Sequence, residues 1–174
     1  MNMEKDIDRI RLLTLEKEDE NWRFRVFLKS SDMSIVRMDR MVAAWYDGIK
    51  QAIDCRACGY CCTVMSPMLS GKDINRLARH LGVSRKELID KYLDPSKEDK
   101  EYILRELPCP FLKDRQCTVY DARPDTCRSF PHLLKRDFRS RLIQVIDNYS
   151  VCPIVYNVYE GLKSELWGRR RGRR

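Results

Sequence analysis

Glycine is scarce in this sequence, at seven of 174 residues, and no stretch gathers it into a phosphate-cradling loop. Dinucleotide folds and P-loop enzymes need such loops because backbone amides must approach the phosphates closely, so both classes are disfavoured. Histidine is scarcer still, with only His80 and His132. A metal site in this chain would therefore have to draw on other donors, with His132 at most an accessory ligand. Long apolar runs are missing as well. The longest, Met41 to Tyr46, falls far short of the ~20 residues that span a bilayer. The start, Met1-Asn2-Met3-Glu4-Lys5-Asp6, is charged, and no apolar stretch of the kind found in a secretory leader follows it. The expectation is a cytoplasmic protein with no membrane partner, in a compartment that keeps thiols reduced.

What the sequence has in excess is cysteine. Eight are present, and four of them fall in Cys55-Arg56-Ala57-Cys58-Gly59-Tyr60-Cys61-Cys62. The other four are Cys109, Cys117, Cys127 and Cys152. A buried cysteine that serves only packing can sit anywhere in a core, so this crowding points elsewhere. Thiolates are the softest ligands a protein offers, and an even count in a reduced compartment reads as metal rather than disulfide. Gly59 gives the backbone room to wrap around such a centre.

Two centres compete. Structural zinc takes four ligands, commonly from two C-x2-C knuckles. Cys55 and Cys58 make one knuckle, but the gaps at 109, 117 and 127 make no second. The C-x2-C-x2-C of Cys55, Cys58 and Cys61 opens like a bacterial ferredoxin run, whose fourth cysteine precedes a proline. Met65 stands at the local fourth position, whereas Cys109-Pro110 and Cys152-Pro153 offer remote ones. An iron–sulfur cluster of the [4Fe–4S] type is favoured, with zinc as the alternative. Neighbouring side chains diverge, so Cys61 and Cys62 either serve two adjacent centres or leave one sulfur inert; a single site is preferred. Arg56, Arg115, Arg123 and Arg128 lie near the cysteines in sequence and can offset their negative charge. Arg123 precedes Pro124 and should be extended and reach outward.

The chain is 43% hydrophobic and 34% charged, which allows a modest core. Residues 1–21 form a charged segment with room for a helix. Trp22, Phe24, Val26 and Leu28 alternate with polar residues as in a short strand, although Phe27 breaks the pattern and leaves a helix open. Met38, Met41, Val42, Trp45, Ile49 and Ile53 recur at helical spacing behind the capping residues Asp32 or Ser34. Ile74, Leu77, Ala78 and Leu81 mark a helix ended by Gly82, and Ser84 with Glu87 caps a second that stops at Asp94-Pro95. Prolines 108, 110, 124 and 131 discourage regular helix in the distal cysteine block. Leu142 to Ile146 reads as a strand, and Val155, Val158, Tyr159, Leu162 and Leu166 as a final helix. The fold class expected is α+β, mostly α-helical with irregular cysteine-rich loops. It would be a single compact domain over 22–167 around a metal or cluster centre, followed by a basic tail at 168–174. That tail supplies five of the net eight positive charges, and its arginines at 169–174 are the one feature suited to weak, sequence-blind contact with nucleic acid.

Taken together, C-x2-C-G-x-C-C at 55–62, C-P-F-L at 109–112 and C-x-V-Y-D-x-R-P-x2-C-R-x-F-P at 117–131 resemble the cysteine-cluster (CxxCxxCC) family of zinc- or iron-chelating proteins, whose enzymatic relatives include the flagellin lysine N-methylases. The resemblance runs over roughly residues 22–165. It implies metal-centre roles for Cys55, Cys58, Cys61, Cys62, Cys109, Cys117 and Cys127, with Cys152 as the eighth. Phe111, Tyr120, Pro124, Arg128 and Pro131 match its other positions. The methylases are larger and no methyl-donor site is visible here, so methylation enters by analogy only. The functional expectation is an iron–sulfur protein with a redox or cluster-dependent role and an unidentified redox or protein partner. A zinc-stabilised interaction module is the alternative. A protein-modifying enzyme is the second alternative, with Tyr120, Arg128 and His132 as the nearest polar candidates.

Overall fold

The computed structural model describes residues 3–97 and 101–168. The arginines at 169–174, and with them the nucleic-acid expectation, lie outside the described residues. In chain order the elements are α1 (Ile7–Glu16), α2 (Glu18–Lys29), α3 (Ile35–Lys50), α4 (Cys55–Cys58), α5 (Cys61–Val64), α6 (Gly71–Leu81) and α7 (Arg85–Tyr92). Strands β1 (Leu93–Pro95), β2 (Tyr102–Leu104), β3 (Leu112–Lys113) and β4 (Gln116–Cys117) follow, then a 3-10 turn at Tyr120–Ala122, α8 (Asp125–Ser129), α9 (Leu142–Tyr149) and α10 (Pro153–Lys163). The protein is thus α+β and mostly helical, with two antiparallel two-stranded ribbons among the described residues. No helix among the described residues is long and apolar enough to cross a membrane. Two compact units emerge: Met1–Asp54 with Pro131–Arg174, and Cys55–Phe130.

The first unit is built on α10. Pro153 occupies its opening turn, where a missing N–H costs nothing, and nearly every residue from Pro153 to Lys163 is buried. A helix buried all round is the core element of its unit. Gly161 lets Trp45 of α3 lie flat on it: a Cβ there would stand 2.6 Å from the indole ring. Ser34 caps α3 by accepting from the Arg37 amide. The alternation at Trp22–Leu28 is not a strand. Phe24 and Leu28, one helical turn apart, are fully buried, whereas Trp22 and Val26 are 41% and 61% exposed, so α2 buries a face of period 3.6. Leu142–Ile146 is also helix rather than strand, because Leu142, Val145, Asn148 and Tyr149 turn one face inward. The Asp39 carboxylate accepts from the amides of Asp137 and Phe138 at 2.9 Å each and fixes the entry to α9. Glu160 of α10 takes bonds from Tyr149, Lys163 and Lys17. Burial alone would raise its carboxyl, but the two ammonium groups hold it below the ordinary glutamate range.

The second unit carries the cysteine motifs. Its core joins Leu69, Ile74, Leu77, Leu88, Leu104 and Phe111, and the side chains of Cys109 and Cys117 pack against it. Helices α6 and α7 begin at reciprocal capping boxes, Ser70 with Asp73 and Ser84 with Glu87. Gly82 ends α6 in the left-handed conformation, φ 68°. α7 stops at Tyr92, and the chain goes straight into β1, where Leu93 pairs with Leu104, Asp94 with Ile103 and Pro95 with Tyr102. Leu69 extends this ribbon by exchanging both backbone hydrogen bonds with Tyr102, at 2.7 and 3.0 Å.

Candidate metal centre

The cysteine loop is two short helices folded about one glycine. α4 carries Cys55 and Cys58, α5 carries Cys61 and Cys62, and Gly59 sits between them at φ 60°. A side chain at 59 would meet a second obstacle besides the conformation, since its Cβ would lie 2.5 Å from the Arg115 carbonyl oxygen. That carbonyl belongs to the hairpin β3–β4, whose two connecting residues, Asp114 and Arg115, both have positive φ, as a type I′ turn requires. The Arg115 guanidinium donates back to the Cys58 carbonyl at 3.3 Å. The Cys109 amide donates to the Cys62 carbonyl at 2.8 Å. The proximal and distal cysteine motifs, far apart in sequence, are therefore joined backbone to backbone within one unit.

Four sulfurs share one electrostatic neighbourhood. Burial pushes the Cys127 thiol up to about 12, and the charges of Cys62, Cys109 and Cys117 add to the rise. Burial also takes Cys109 to about 11. The Phe111 and Leu112 amides oppose that rise, and Cys62 and Cys117 reinforce it. Cys117 is raised by burial, with the Val119 amide and Arg123 pulling down against Cys62. Cys62 moves the other way, to about 7, chiefly through a hydrogen bond from Cys61, against burial and with help from Arg123. Like charges so placed cannot all ionise without a compensating cation, and softness makes a thiophilic metal the cation of choice.

None of the eight cysteines is in a disulfide. Cys55 is exposed, and Cys58 and Cys61 are half-buried on the same loop. Cys152 belongs to the other unit, where it is buried at the start of α10. His80 is exposed on α6. His132 also belongs to the other unit, buried, with a φ of 63°. Among the described residues, no three of His, Cys, Asp and Glu are grouped closely enough to hold a metal ion as they stand. The donor chemistry of Cys62, Cys109, Cys117 and Cys127 fits a thiolate-bound metal or cluster.

The arginines are not equivalent. Contrary to the outward reach expected of it, Arg123 folds over the ring of Tyr120, its guanidinium carbon 3.5 Å from the centroid, and its charge acts on Cys62, Cys117 and Cys127. Pro124 constrains only the backbone, and the arginine is extended as expected at φ −46°, ψ 146°; the aromatic ring then decides where the side chain goes. Arg56 lies over Tyr120 as well, at 5.2 Å. Arg128 donates to the carbonyls of Arg123 and Asp121 and so ties the turn before Cys127. One arginine not singled out in the sequence does more. Arg76 donates to the carbonyls of Ala122 and Arg123 and to the carboxylates of Asp73 and Asp125, fastening the Cys127 turn to α6. Ser70-x2-Asp73 carried the same capping signal as Ser84-x2-Glu87 and marks the residue that Arg76 grips.

Residues 54–153 match the model of the CxxCxxCC family, described as "Putative zinc- or iron-chelating domain". No curated protein and no solved structure matches the chain.

Proposed function

Because the chain belongs to the CxxCxxCC family, whose matched stretch covers more than half of it, we propose that it is a metal-binding protein whose centre is ligated by the thiolates of the Cys55–Phe130 unit. The observation that carries this reading is the junction of the proximal and distal motifs, where the Cys109 amide donates to the Cys62 carbonyl at 2.8 Å, together with the mutual electrostatic effect of Cys62, Cys109, Cys117 and Cys127. These come from three separate motifs. When bound, the centre would supply electron-transfer chemistry if it is iron–sulfur, or a rigid tetrahedral tie if it is zinc.

The finer reading is an iron–sulfur cluster with a redox or cluster-dependent role. Cys55, Cys58 and Cys61 share the loop of Cys62 at ferredoxin-like spacing, so the unit offers more thiols than the four a single zinc ion uses. Zinc is the second reading, favoured by the four thiols that act on one another electrostatically, the number a tetrahedral ligand set takes. Purification under anaerobic conditions, followed by an absorption spectrum and metal analysis, separates them. A brown protein with broad visible absorption and bound iron is expected. Colourless protein with stoichiometric zinc would reject the iron–sulfur reading, and protein that takes up neither metal would reject both.

A further inference from the structure

Arg123 has a donor that nothing among the described residues uses. Its Nε is buried and has no hydrogen-bond partner among the described residues. A buried donor left unpaired is costly, and each such group in a folded protein calls for an explanation. Three features hold this donor in place. The guanidinium is stacked 3.5 Å from the centre of Tyr120. The carbonyl of Arg123 accepts from Arg76 at 2.7 Å and from Arg128 at 3.1 Å. Pro124 locks the following bond and keeps the backbone extended. The position lies between Cys117, on β4, and Cys127, on α8. The charge of Arg123 is felt at both of those sulfurs and at Cys62. A planar guanidinium held against a ring suits a fixed, directional donor, whereas an ammonium would rotate.

We propose that Arg123 is a sulfur-directed donor: once a metal is bound, its Nε–H, unpaired among the described residues, would make a charge-assisted hydrogen bond to a cysteine sulfur of the centre, with Tyr120 as the platform that aims it. The inference rests on the thiolate-centre reading above. It adds a residue that would tune the bound metal without ligating it, because a hydrogen bond to a ligating sulfur withdraws electron density from the metal–sulfur bond.

Cobalt(II) serves as the probe, since its sulfur-to-metal charge-transfer bands report the electron richness of the ligating sulfur. Wild-type protein, R123K and R123M are loaded with Co2+ anaerobically and their spectra compared. The wild type is expected to show sulfur-to-cobalt bands, and R123M the same bands moved to longer wavelength, because its sulfur has lost the donor. R123K keeps the charge without Nε and is expected to fall between the two. Bands at the wild-type position in fully loaded R123M would overturn the proposal and leave the metal reading intact. A wild-type position in R123K would assign the effect to charge alone and overturn the hydrogen bond. Absence of any sulfur-to-cobalt band in the wild type would overturn both readings. Should R123M fail to fold, the Arg123 Nε–H resonance of wild-type protein decides: a downfield move on loading with Cd2+ supports the bond, and an unmoved resonance overturns it.

Discussion

At the scale of single residues, the cysteine unit depends on a few positions where chemistry and backbone geometry coincide. Gly59 is one. Its positive φ and the Arg115 carbonyl 2.5 Å from the place a Cβ would take leave no room for alanine. Gly59→Ala should cost ~1–3 kcal/mol through the strained conformation alone, and more through the displaced hairpin; a lowered urea midpoint would show it. Asp73 is another. Burial would raise its carboxyl, but the Ser70 hydroxyl and amide, the Asp125 amide and Arg76 outweigh burial and hold it below the usual carboxylate range. The stabilisation this gives is complete above the unfolded carboxylate pKa of ~3.9 and is lost as pH falls through the lower folded value. Asp73→Asn should therefore unfold at lower urea than the wild type near neutrality, by about 2 kcal/mol. The gap should close in strong acid, and a gap constant with pH would contradict the assignment. Arg123 shows how a residue escapes sequence reading. The proline after it constrains the backbone, but the partner of its side chain is an aromatic ring three residues earlier, brought round by a 3-10 turn.

At the scale of elements, what the sequence made legible was what local chemistry decides. The capping residues Ser34 and Ser84, the stop at Gly82 and the apolar spacing in α3 and α6 appear in the structure where the sequence puts them. Ser84→Ala should cost about 1 kcal/mol. Ser70→Ala should cost more, since its hydroxyl donates at 2.6 Å to Asp73, which is buried, whereas Glu87, the partner of Ser84, is exposed. The ratio of the two losses, measured by thermal or urea unfolding, checks whether the α6 cap is integral to the Arg76 clamp; equal losses would argue against it. Tertiary packing decided the rest. Trp22 and Val26 are apolar yet exposed, and they manufacture an alternation where the buried pair is Phe24 and Leu28. Strands of two and three residues, as in β3–β4 and β1–β2, are too short to show a period at all. Their turn was hidden for the same reason, because Asp114-Arg115 carries no glycine at the positions that usually announce a type I′ hairpin.

At the scale of the whole molecule, the cysteines divide between two units. Seven belong to the Cys55–Phe130 unit and Cys152 to the other, although the family match at 54–153 takes in all eight. The motif spacing made the thiols visible from the sequence. It could not tell which of them feel one another's charge, because Cys109 is tied to Cys62 by its backbone amide and Cys117 and Cys127 are brought in by the fold of the unit rather than by a knuckle of fixed spacing. Sulfur from cysteines distant in sequence should ligate one inorganic centre. X-ray absorption at the metal K-edge of anaerobically purified protein tests it most directly, since one spectrum gives both the element and its ligands. The expected result is iron or zinc with a first shell of sulfur, at about 2.3 Å if the metal is zinc. A first shell of nitrogen and oxygen alone, or protein that carries no metal at all, would contradict it.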